Sequence, residues 1–208
     1  MARKTAENAE LSRLKLLEAG LQTIALHGFA HSTLDEIAQK AGLSRGAVYW
    51  HFKGKAELLH AIMATTVLPF EDFLLPGATT MQGFEQLAKA LERTLSIQRH
   101  RDFCKVLLKE GEVGTADCPV ITRWRKAQDH LSVQLHRLVA RRYCDAPQVR
   151  TAQMLEIVEL MQLSIIGMLM GTLFEKKCTG VRTATFVRML TTLLPEASSA
   201  PNAVWNSR

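Results

Sequence analysis

The stretch from Thr33 to Lys55 restricts the fold of this chain more than any other. It reads TLDEIAQKAGLSRGAVYWHFKGK. Thr33 followed three residues later by Glu36 is typical of a capping box, which begins a helix. Gly42 suits the left-handed conformation in which many helices end. We therefore expect a short helix that begins after Thr33 and ends at Gly42.

A second short helix is predicted directly after this turn. Ser44 is a favourable N-cap, because its hydroxyl can accept a hydrogen bond from a free amide of the first turn. The helix should extend to about Phe52. Two helices joined by a short turn that contains glycine form a helix-turn-helix, here over residues 33–52.

The second helix of the motif has two different faces when residues are placed about 100° apart. Val48 and Phe52 fall together on an apolar face, with Ala47 beside them. Glycine in a helix costs about 1 kcal/mol relative to alanine, so Gly46 indicates a surface that a flat partner approaches closely. The face opposite the apolar one carries one cation, this glycine and two aromatic residues: Arg45, Gly46, Tyr49 and Trp50.

Basic residues are concentrated around the motif. Residues 1–55 hold eight Lys/Arg and five Asp/Glu, so about a quarter of the chain holds half of its net charge of +6. Helix N-termini bind anions, and the next helix starts in a basic segment. The pattern indicates binding to duplex DNA. The candidate contacts are Thr33, Ser44, Arg45, Gly46, Ala47, Tyr49, Trp50, His51, Lys53 and Lys55.

Residues 28–58, GFAHSTLDEIAQKAGLSRGAVYWHFKGKAEL, closely resemble the N-terminal domain of the TetR family of transcriptional regulators. The opening residues 1–5 resemble the AcrR-like branch, which represses genes of multidrug efflux pumps. The resemblance implies a DNA-binding domain over residues 1–54 and a ligand-binding and dimerisation domain over residues 55–208. It also implies a repressor that binds a palindromic operator as a homodimer and is released by a small hydrophobic or cationic inducer.

The rest of the chain is predicted to be helical, with breakers between the helices. No strand-like alternation is present, so we expect an all-α fold of about nine helices. Phosphate loops, dinucleotide fingerprints and nucleophile–base pairs are absent from the sequence, so neither a cofactor nor an enzyme is expected. Outside the motif, the expected helices cover about 9–27, 55–68, 84–98, 102–110, 119–143, 147–177 and 181–194.

The penultimate predicted helix carries a stripe of small residues. Ser164, Gly167 and Gly171 share one side, the two glycines in G-x-x-x-G spacing. Small residues let two helix backbones approach closely. Tight packing within one chain is one interpretation, and a dimer interface made by the last two helices of each chain is the other. The family resemblance and the need for paired reading helices favour the dimer.

Apolar residues on several of these helices suggest a ligand cavity. Helical bundles commonly hold ligands between helices, and methionine adapts to varied shapes. An ordinary hydrophobic core is the alternative interpretation of the same residues. The candidate lining residues are Met63, Phe84, Phe103, Leu107, Trp124, Met154, Val158, Met161 and Ile165.

The remaining patterns leave two alternatives open. Cys104, Cys118, Cys144 and Cys178 are widely and irregularly spaced, which argues against zinc binding and against a disulfide framework. A regulator that senses redox state through a cysteine is one alternative, and a helical interaction module that does not bind DNA is the other. With no signal peptide, and with an apolar run at 160–174 shorter than the ~20 residues of a spanning helix, we expect a cytoplasmic protein.

Overall fold

The computed structural model describes residues 2–111, 118–142, 151–174 and 182–194. Within these ranges all regular structure is helical, and it comprises nine α-helices and one short 3-10 helix at Pro69–Asp72. The predicted all-α class is therefore confirmed. The helices are α1 (Ala2–His27), α2 (Leu34–Lys40), α3 (Arg45–His51), α4 (Lys55–Thr65), α5 (Thr80–Ser96), α6 (Gln98–Glu110), α7 (Pro119–Arg142), α8 (Thr151–Leu173) and α9 (Thr183–Thr191).

Several helices begin earlier than predicted. Helix α1 starts at Ala2 instead of about Ala9. Helix α5 starts at Thr80 instead of Phe84, because Thr79 and Gln82 form a second capping box: the Gln82 amide donates to Thr79 Oγ1 (3.3 Å) and the Thr79 amide donates to Gln82 Oε1 (2.9 Å). Gly111, the first residue of the loop expected at 111–117, follows the end of α6. The rest of this loop, the turn expected at 144–148, the helix break expected at Gly180 and the tail expected from Pro195 lie outside the described residues.

The chain divides into two compact units, of which the first comprises residues 1–68 and 93–127. Helix α1 runs through its centre and packs against α2, α3, α4 and α6. Gly20 allows α1 to pack closely against α4, since a Cβ there would lie 3.1 Å from both Leu58 Cδ2 and Ile62 Cδ1. The large apolar residues that α1 buries are Leu16, Leu17, Leu21 and Ile24.

The spacing of Leu14, Leu17, Leu21 and Ile24 predicts an apolar stripe on α1, and one of these residues is not buried. Leu14 is 50% exposed, whereas Leu16 is fully buried. Leu14 lies on the same side of the helix as Leu17 but one turn nearer the amino end, where this side is not covered by the other described helices of the unit. Periodicity indicates which side of a helix faces the core, but not how far along it the partner helices extend.

The second unit comprises residues 69–92 and 128–208, of which the structure describes 69–92, 128–142, 151–174 and 182–194. Gln134 of α7 holds the segment before α5: its Oε1 accepts from the Leu74 amide (3.2 Å) and its Nε2 donates to Asp72 Oδ1 (3.2 Å). A Cβ at Gly83 would clash with Leu138 Cδ1, so this glycine allows α5 to contact α7. The predicted boundary at 54/55 divides the chain by function, into a DNA-binding part and a ligand-binding and dimerisation part, and it stays a prediction.

Helix α8 is the most apolar helix of the described chain. Residues 152–173 are long and apolar enough, by length and composition alone, to cross a membrane, with a mean hydropathy of 1.6. The expectation of a segment too short to span a membrane rests on residues 160–174 alone, whereas the helix begins at Thr151. One side of α8 belongs to the core of the second unit, through Val158, Met161, Ile165 and Leu169.

Candidate nucleic-acid interface

The helix-turn-helix forms through the local interactions that its sequence predicts. Thr33 Oγ1 accepts from the Glu36 amide (3.2 Å), and Glu36 Oε2 accepts from the Thr33 amide (3.0 Å). This second bond is the main reason that the pKa of Glu36 is lowered. Gly42 ends α2 with a φ of +67°, which residues other than glycine rarely adopt. Ser44 Oγ accepts from the Ala47 amide (3.3 Å) and caps α3.

Helix α3 presents two faces, as predicted. Val48 and the following Phe52 are buried in the first unit. Tyr49 is 49% exposed and Trp50 is 71% exposed. A Cβ at Gly46 would meet only Ser44 Oγ, at 3.9 Å, so this glycine faces open space. The exposed surface of α3, formed by Arg45, Gly46, Tyr49 and Trp50, is called the reading face below.

Arg45 is held on the reading face by two exposed neighbours. Its Nε lies 3.2 Å from Asp35 Oδ1, and its guanidinium carbon lies 5.7 Å from the centre of the Tyr49 ring. A hydrogen bond with Tyr49, followed by the charge of Asp35, raises the pKa of Arg45. Exposed ion pairs contribute little to stability. Arg45 can therefore exchange Asp35 for another acceptor at low cost.

His51 lies beside the reading face and is less basic than an ordinary histidine. Its ring contacts Trp50 edge-on, with the centroids 4.5 Å apart. Partial burial, and then the positive charge of Arg13, lower the pKa of His51. Near neutral pH it is therefore an uncharged donor. Arg13 also lies 5.7 Å from the centre of the Phe52 ring. The sequence does not indicate this neighbour, because Arg13 is on α1 and meets the end of α3 only in the tertiary structure.

The two lysines after α3 differ in their surroundings. Lys53 is exposed, and its amide donates to Glu57 Oε2 (2.7 Å) at the start of α4. Lys55 Nζ donates to the carbonyl oxygens of Phe29 (2.5 Å), Ala30 (3.3 Å) and Ser32 (2.8 Å). An ammonium has three protons, and these bonds use all of them. The phosphate contact that the sequence suggests for Lys55 would require some of these bonds to break.

The residues predicted to line a ligand cavity fall into both compact units. Met63, Phe103, Leu107 and Trp124 are buried in the first unit. In the second unit Phe84, Val158, Met161 and Ile165 are buried and Met154 is half-buried. The second unit also contains a groove of about 360 Å³ between α5 and α9, of which Phe84 forms part of the wall. Ligand binding at any of these residues remains a prediction.

The small-residue stripe of α8 lies on a side where Gly167 is exposed and Ser164 and Gly171 are half-buried. A Cβ at Gly167 would meet nothing within 4 Å. At about 100° per residue, the stripe shares an arc with three exposed apolar residues, and this arc points away from the core side of α8. We call this arc the α8 apolar face: Leu160, Leu163, Ser164, Gly167, Gly171 and Phe174.

Metal and thiol chemistry find little support in the described part of the chain. No group of three or more His, Cys, Asp or Glu residues there is arranged to hold a metal ion. Cys104 is completely buried and Cys118 is half-buried. Cys144 and Cys178 lie outside the described residues.

Comparison with known proteins agrees with this geometry. The profile described as bacterial regulatory proteins of the tetR family matches residues 16–62. The HTH-type transcriptional regulator SrpR of Pseudomonas putida is 38% identical over 111 residues, which is 53% of this chain and 52% of SrpR. The uncharacterized HTH-type transcriptional regulator TtgW, also of Pseudomonas putida, is 37% identical over 111 residues, which is 53% of this chain and 83% of TtgW. The chain thus spans about half the length of SrpR and most of TtgW.

Solved structures share the fold over nearly the whole chain. SmeT, the repressor of the Stenotrophomonas maltophilia multidrug efflux pump SmeDEF, superposes with a TM-score of 0.67 at 22% identity and covers 93% of this chain and 96% of its own. A SmeT–triclosan complex superposes with a TM-score of 0.68 at 22% identity, and the match covers 95% of this chain and 98% of the SmeT chain. From the helix-turn-helix, the matching profile and the identity over most of TtgW, we conclude that this chain belongs to the TetR family of bacterial regulatory proteins.

Proposed function

We propose that this chain is a ligand-responsive transcriptional repressor that binds a palindromic operator as a homodimer. The observation that carries the proposal is the reading face, where Arg45, Tyr49 and Trp50 are exposed on a helix whose other side is buried. Such a helix fits the major groove of duplex DNA. The family of the chain supports the same role.

Within the reading face, Arg45 is the side chain that reads bases. A guanidinium can donate two hydrogen bonds to O6 and N7 of guanine. Tyr49 and Trp50 contact thymine methyl groups or the sugar–phosphate backbone. Gly46 and the adjacent Ala47 leave room for the groove, because neither carries a bulky side chain.

The phosphate contacts come from the polar rim of the motif. Thr33, Ser44 and Lys53 are exposed, and His51 supplies one neutral donor. Such contacts set the register of the protein on the duplex and carry no sequence information. The affinity that they provide should fall as the salt concentration rises.

Two copies of the chain bind together. A helix-turn-helix dimer reads two half-sites about one turn of DNA apart, which explains why the operator is palindromic. The α8 apolar face supports this assembly, because it leaves exposed leucines around Gly167, where another backbone can approach closely. Burying this face in a dimer also accounts for the apolarity of α8 without a membrane, and we propose a cytoplasmic location.

The regulated genes encode a multidrug efflux pump, and the inducer is a small hydrophobic molecule, cationic or neutral. This part of the proposal rests on the AcrR-like opening of the sequence and on the fold shared with SmeT, which represses such a pump and has been solved with triclosan. The inducer binds among the apolar residues of the helices after α4. It releases DNA by binding better to the form with the lower operator affinity.

The two alternatives have weaker support. A cysteine switch requires an accessible thiol, and of the two cysteines in the described residues Cys104 is fully buried and Cys118 is half-buried. An interaction module without DNA binding would not require the glycine and the exposed arginine of the reading face. Unchanged operator affinity after mild peroxide treatment would exclude the switch.

Selection of duplexes from a random library tests the DNA-binding proposal. Wild type should enrich a palindrome, and Arg45→Ala should lose preference at one or two base pairs of each half-site, equivalent to about 1–3 kcal/mol per site. Arg137→Ala, which removes an exposed arginine from α7, is the matched control and should select the wild-type palindrome. If nothing is enriched, or if Arg45→Ala keeps every preference, the proposed role of the reading face is wrong.

Ligand response is tested on the selected duplex. Triclosan, hydrophobic cations and neutral aromatic compounds are screened by thermal shift and then added to the protein–DNA complex. An inducer should raise the unfolding midpoint of the free protein and lower its affinity for DNA. Compounds that stabilise the protein without changing the DNA affinity would argue against an inducer-controlled repressor.

A further inference from the structure

The turn between α1 and α2, residues 28–32, is held by side chains from two distant helices. Lys55 of α4 binds three of its carbonyl oxygens, as described above. Glu110, the last residue of α6, accepts a hydrogen bond from the Phe29 amide (3.1 Å) across 81 positions of sequence. Lys55 of α4 thus binds carbonyl oxygens of the turn, and Glu110 of α6 binds one of its amides.

The backbone of this turn is shaped to receive Glu110. Gly28 has a φ of +85°, and a Cβ there would lie 3.1 Å from Glu110 Oε1. A larger residue would press on the carboxylate as well as strain the backbone. Ser32 Oγ donates to the Gly28 carbonyl (2.6 Å), which closes the turn from within.

The turn leads directly into the helix-turn-helix. Helix α2 begins at Leu34, and α3 follows after one short turn. The main described contacts of α2 are with α1 and α3, so the turn that follows α1 contributes to the orientation of α2 and α3. The orientation of α3 determines how the reading face enters the major groove of DNA.

We propose that Glu110 is a positioning residue for DNA binding: its hydrogen bond to Phe29 couples the end of α6 to the lead-in of the helix-turn-helix. Lys55 holds the opposite side of the same turn, so the two side chains act as a clamp on residues 28–32. Glu110 itself does not touch DNA. The inference rests on the proposed function, since its consequence is measured as operator affinity.

Three variants test the clamp. Glu110→Ala removes the acceptor, Glu110→Gln keeps an acceptor oxygen without the charge, and Glu92→Ala removes an exposed carboxylate from α5 and so matches the change in net charge. Hydrogen exchange of the peptide that covers residues 28–33 is measured without DNA. Affinity for the selected duplex is measured at several salt concentrations.

Glu110→Ala should speed exchange in residues 28–33 and weaken DNA binding by up to about 10-fold, because the free energy of one hydrogen bond to a charged group limits what a misplaced turn can cost in affinity. The slope of log affinity against log salt should not change, because no phosphate contact is lost. Glu110→Gln should recover most of the affinity, and Glu92→Ala should behave as wild type.

Wild-type affinity in Glu110→Ala, unchanged exchange in the turn, or equal weakening in Glu92→Ala would overturn the clamp. A lower salt slope in Glu110→Ala would mean that Glu110 affects phosphate contacts, which also contradicts positioning alone. If Glu110→Ala does not fold, Glu110→Gln and Glu110→Asp test the proposal instead, by hydrogen exchange of residues 28–33 and by affinity for the selected duplex. Failure of wild type to bind any duplex would count against the proposed function, and the exchange result would still support or overturn the hold of Glu110 on the turn.

Discussion

The ammonium of Lys55 donates a hydrogen bond of 2.8 Å to the carbonyl oxygen of Ser32, 23 positions earlier in the chain. Two further carbonyl oxygens share the same ammonium, and its nitrogen lies 4.5 Å from the centre of the Phe29 ring. Carbonyl groups that follow the end of a helix attract cations. Lys55 therefore stabilises the turn before α2, whereas its position in the motif alone indicates a phosphate contact.

Replacing Lys55 by methionine should lower the free energy of unfolding by about 1–3 kcal/mol, because three carbonyl groups lose a charged donor. Urea denaturation measures this loss. Lys53→Met is the matched control, since Lys53 is exposed, and should change stability by less than about 0.5 kcal/mol.

The variants Lys53→Met and Lys55→Met also distinguish a lysine that contacts phosphate from one that supports the turn. Lys53→Met should reduce the salt slope of DNA binding by about one unit, and Lys55→Met should leave it unchanged. A reduced slope in Lys55→Met would show that this lysine gives up its carbonyl partners for a phosphate.

Replacing Gly46 by alanine should separate stability from function. The added methyl group faces open space, and alanine favours a helix over glycine, so the free energy of unfolding should rise by up to about 1 kcal/mol. DNA affinity should nevertheless fall, because the methyl group stands between α3 and the groove. Thermal unfolding and fluorescence anisotropy measure the two effects.

Gly42→Ala is the contrasting variant. Gly42 has a φ of +67°, so alanine should destabilise the fold by about 1 kcal/mol. If Gly46→Ala binds the operator as tightly as wild type, α3 does not approach DNA closely at this residue.

Replacing Leu160 by glutamate should convert a dimer into a monomer. The change places a charge in the α8 apolar face, where the desolvation of an unpaired carboxylate opposes association. Light scattering at micromolar concentration measures the mass. Leu155→Glu is the control, because Leu155 is a similarly exposed leucine of α8 outside this face, and it should leave the mass unchanged. A monomeric wild type, or a dimeric Leu160→Glu, would contradict the proposed interface.

The lowered pKa of His51 should make stability depend on pH. The folded protein binds this proton less tightly than the unfolded chain, so acidification through the ordinary histidine range, about pH 6.5, favours unfolding. The contribution of His51 is complete above that range and is lost as the pH falls through it. His51→Asn should therefore lose less stability than wild type between about pH 7.5 and 5.5 in urea denaturation. His60→Asn, at an exposed histidine of α4, is the control, and an identical loss in wild type and His51→Asn would refute the prediction.

The motif was predictable because its boundaries depend on neighbours in sequence. The capping box of Thr33 and Glu36, the positive φ of Gly42 and the N-cap of Ser44 each involve residues within four positions of one another. The same chemistry begins α5 at Thr79 and Gln82, whereas the predicted helix begins only at about Phe84. The T-x-x-Q spacing that predicts this second capping box is present in the sequence.

The candidate site was predictable in its exposed part only. The sides of α3 follow from helical periodicity, so Val48 was expected inside and Trp50 outside, as observed. The partners of Lys55 and the position of Arg13 beside His51 were not predictable, because each pair is separated by more than 20 positions of sequence.

The amino-acid sequence by itself determined the helical class, the helix-turn-helix and the composition of the reading face, since capping and periodicity act over a few residues. The tertiary structure alone decided that Leu16 and not Leu14 is buried, that Lys55 faces carbonyl groups, and that Glu110 reaches the turn before α2. The physical reason is that burial and long-range hydrogen bonds depend on which helices meet in space.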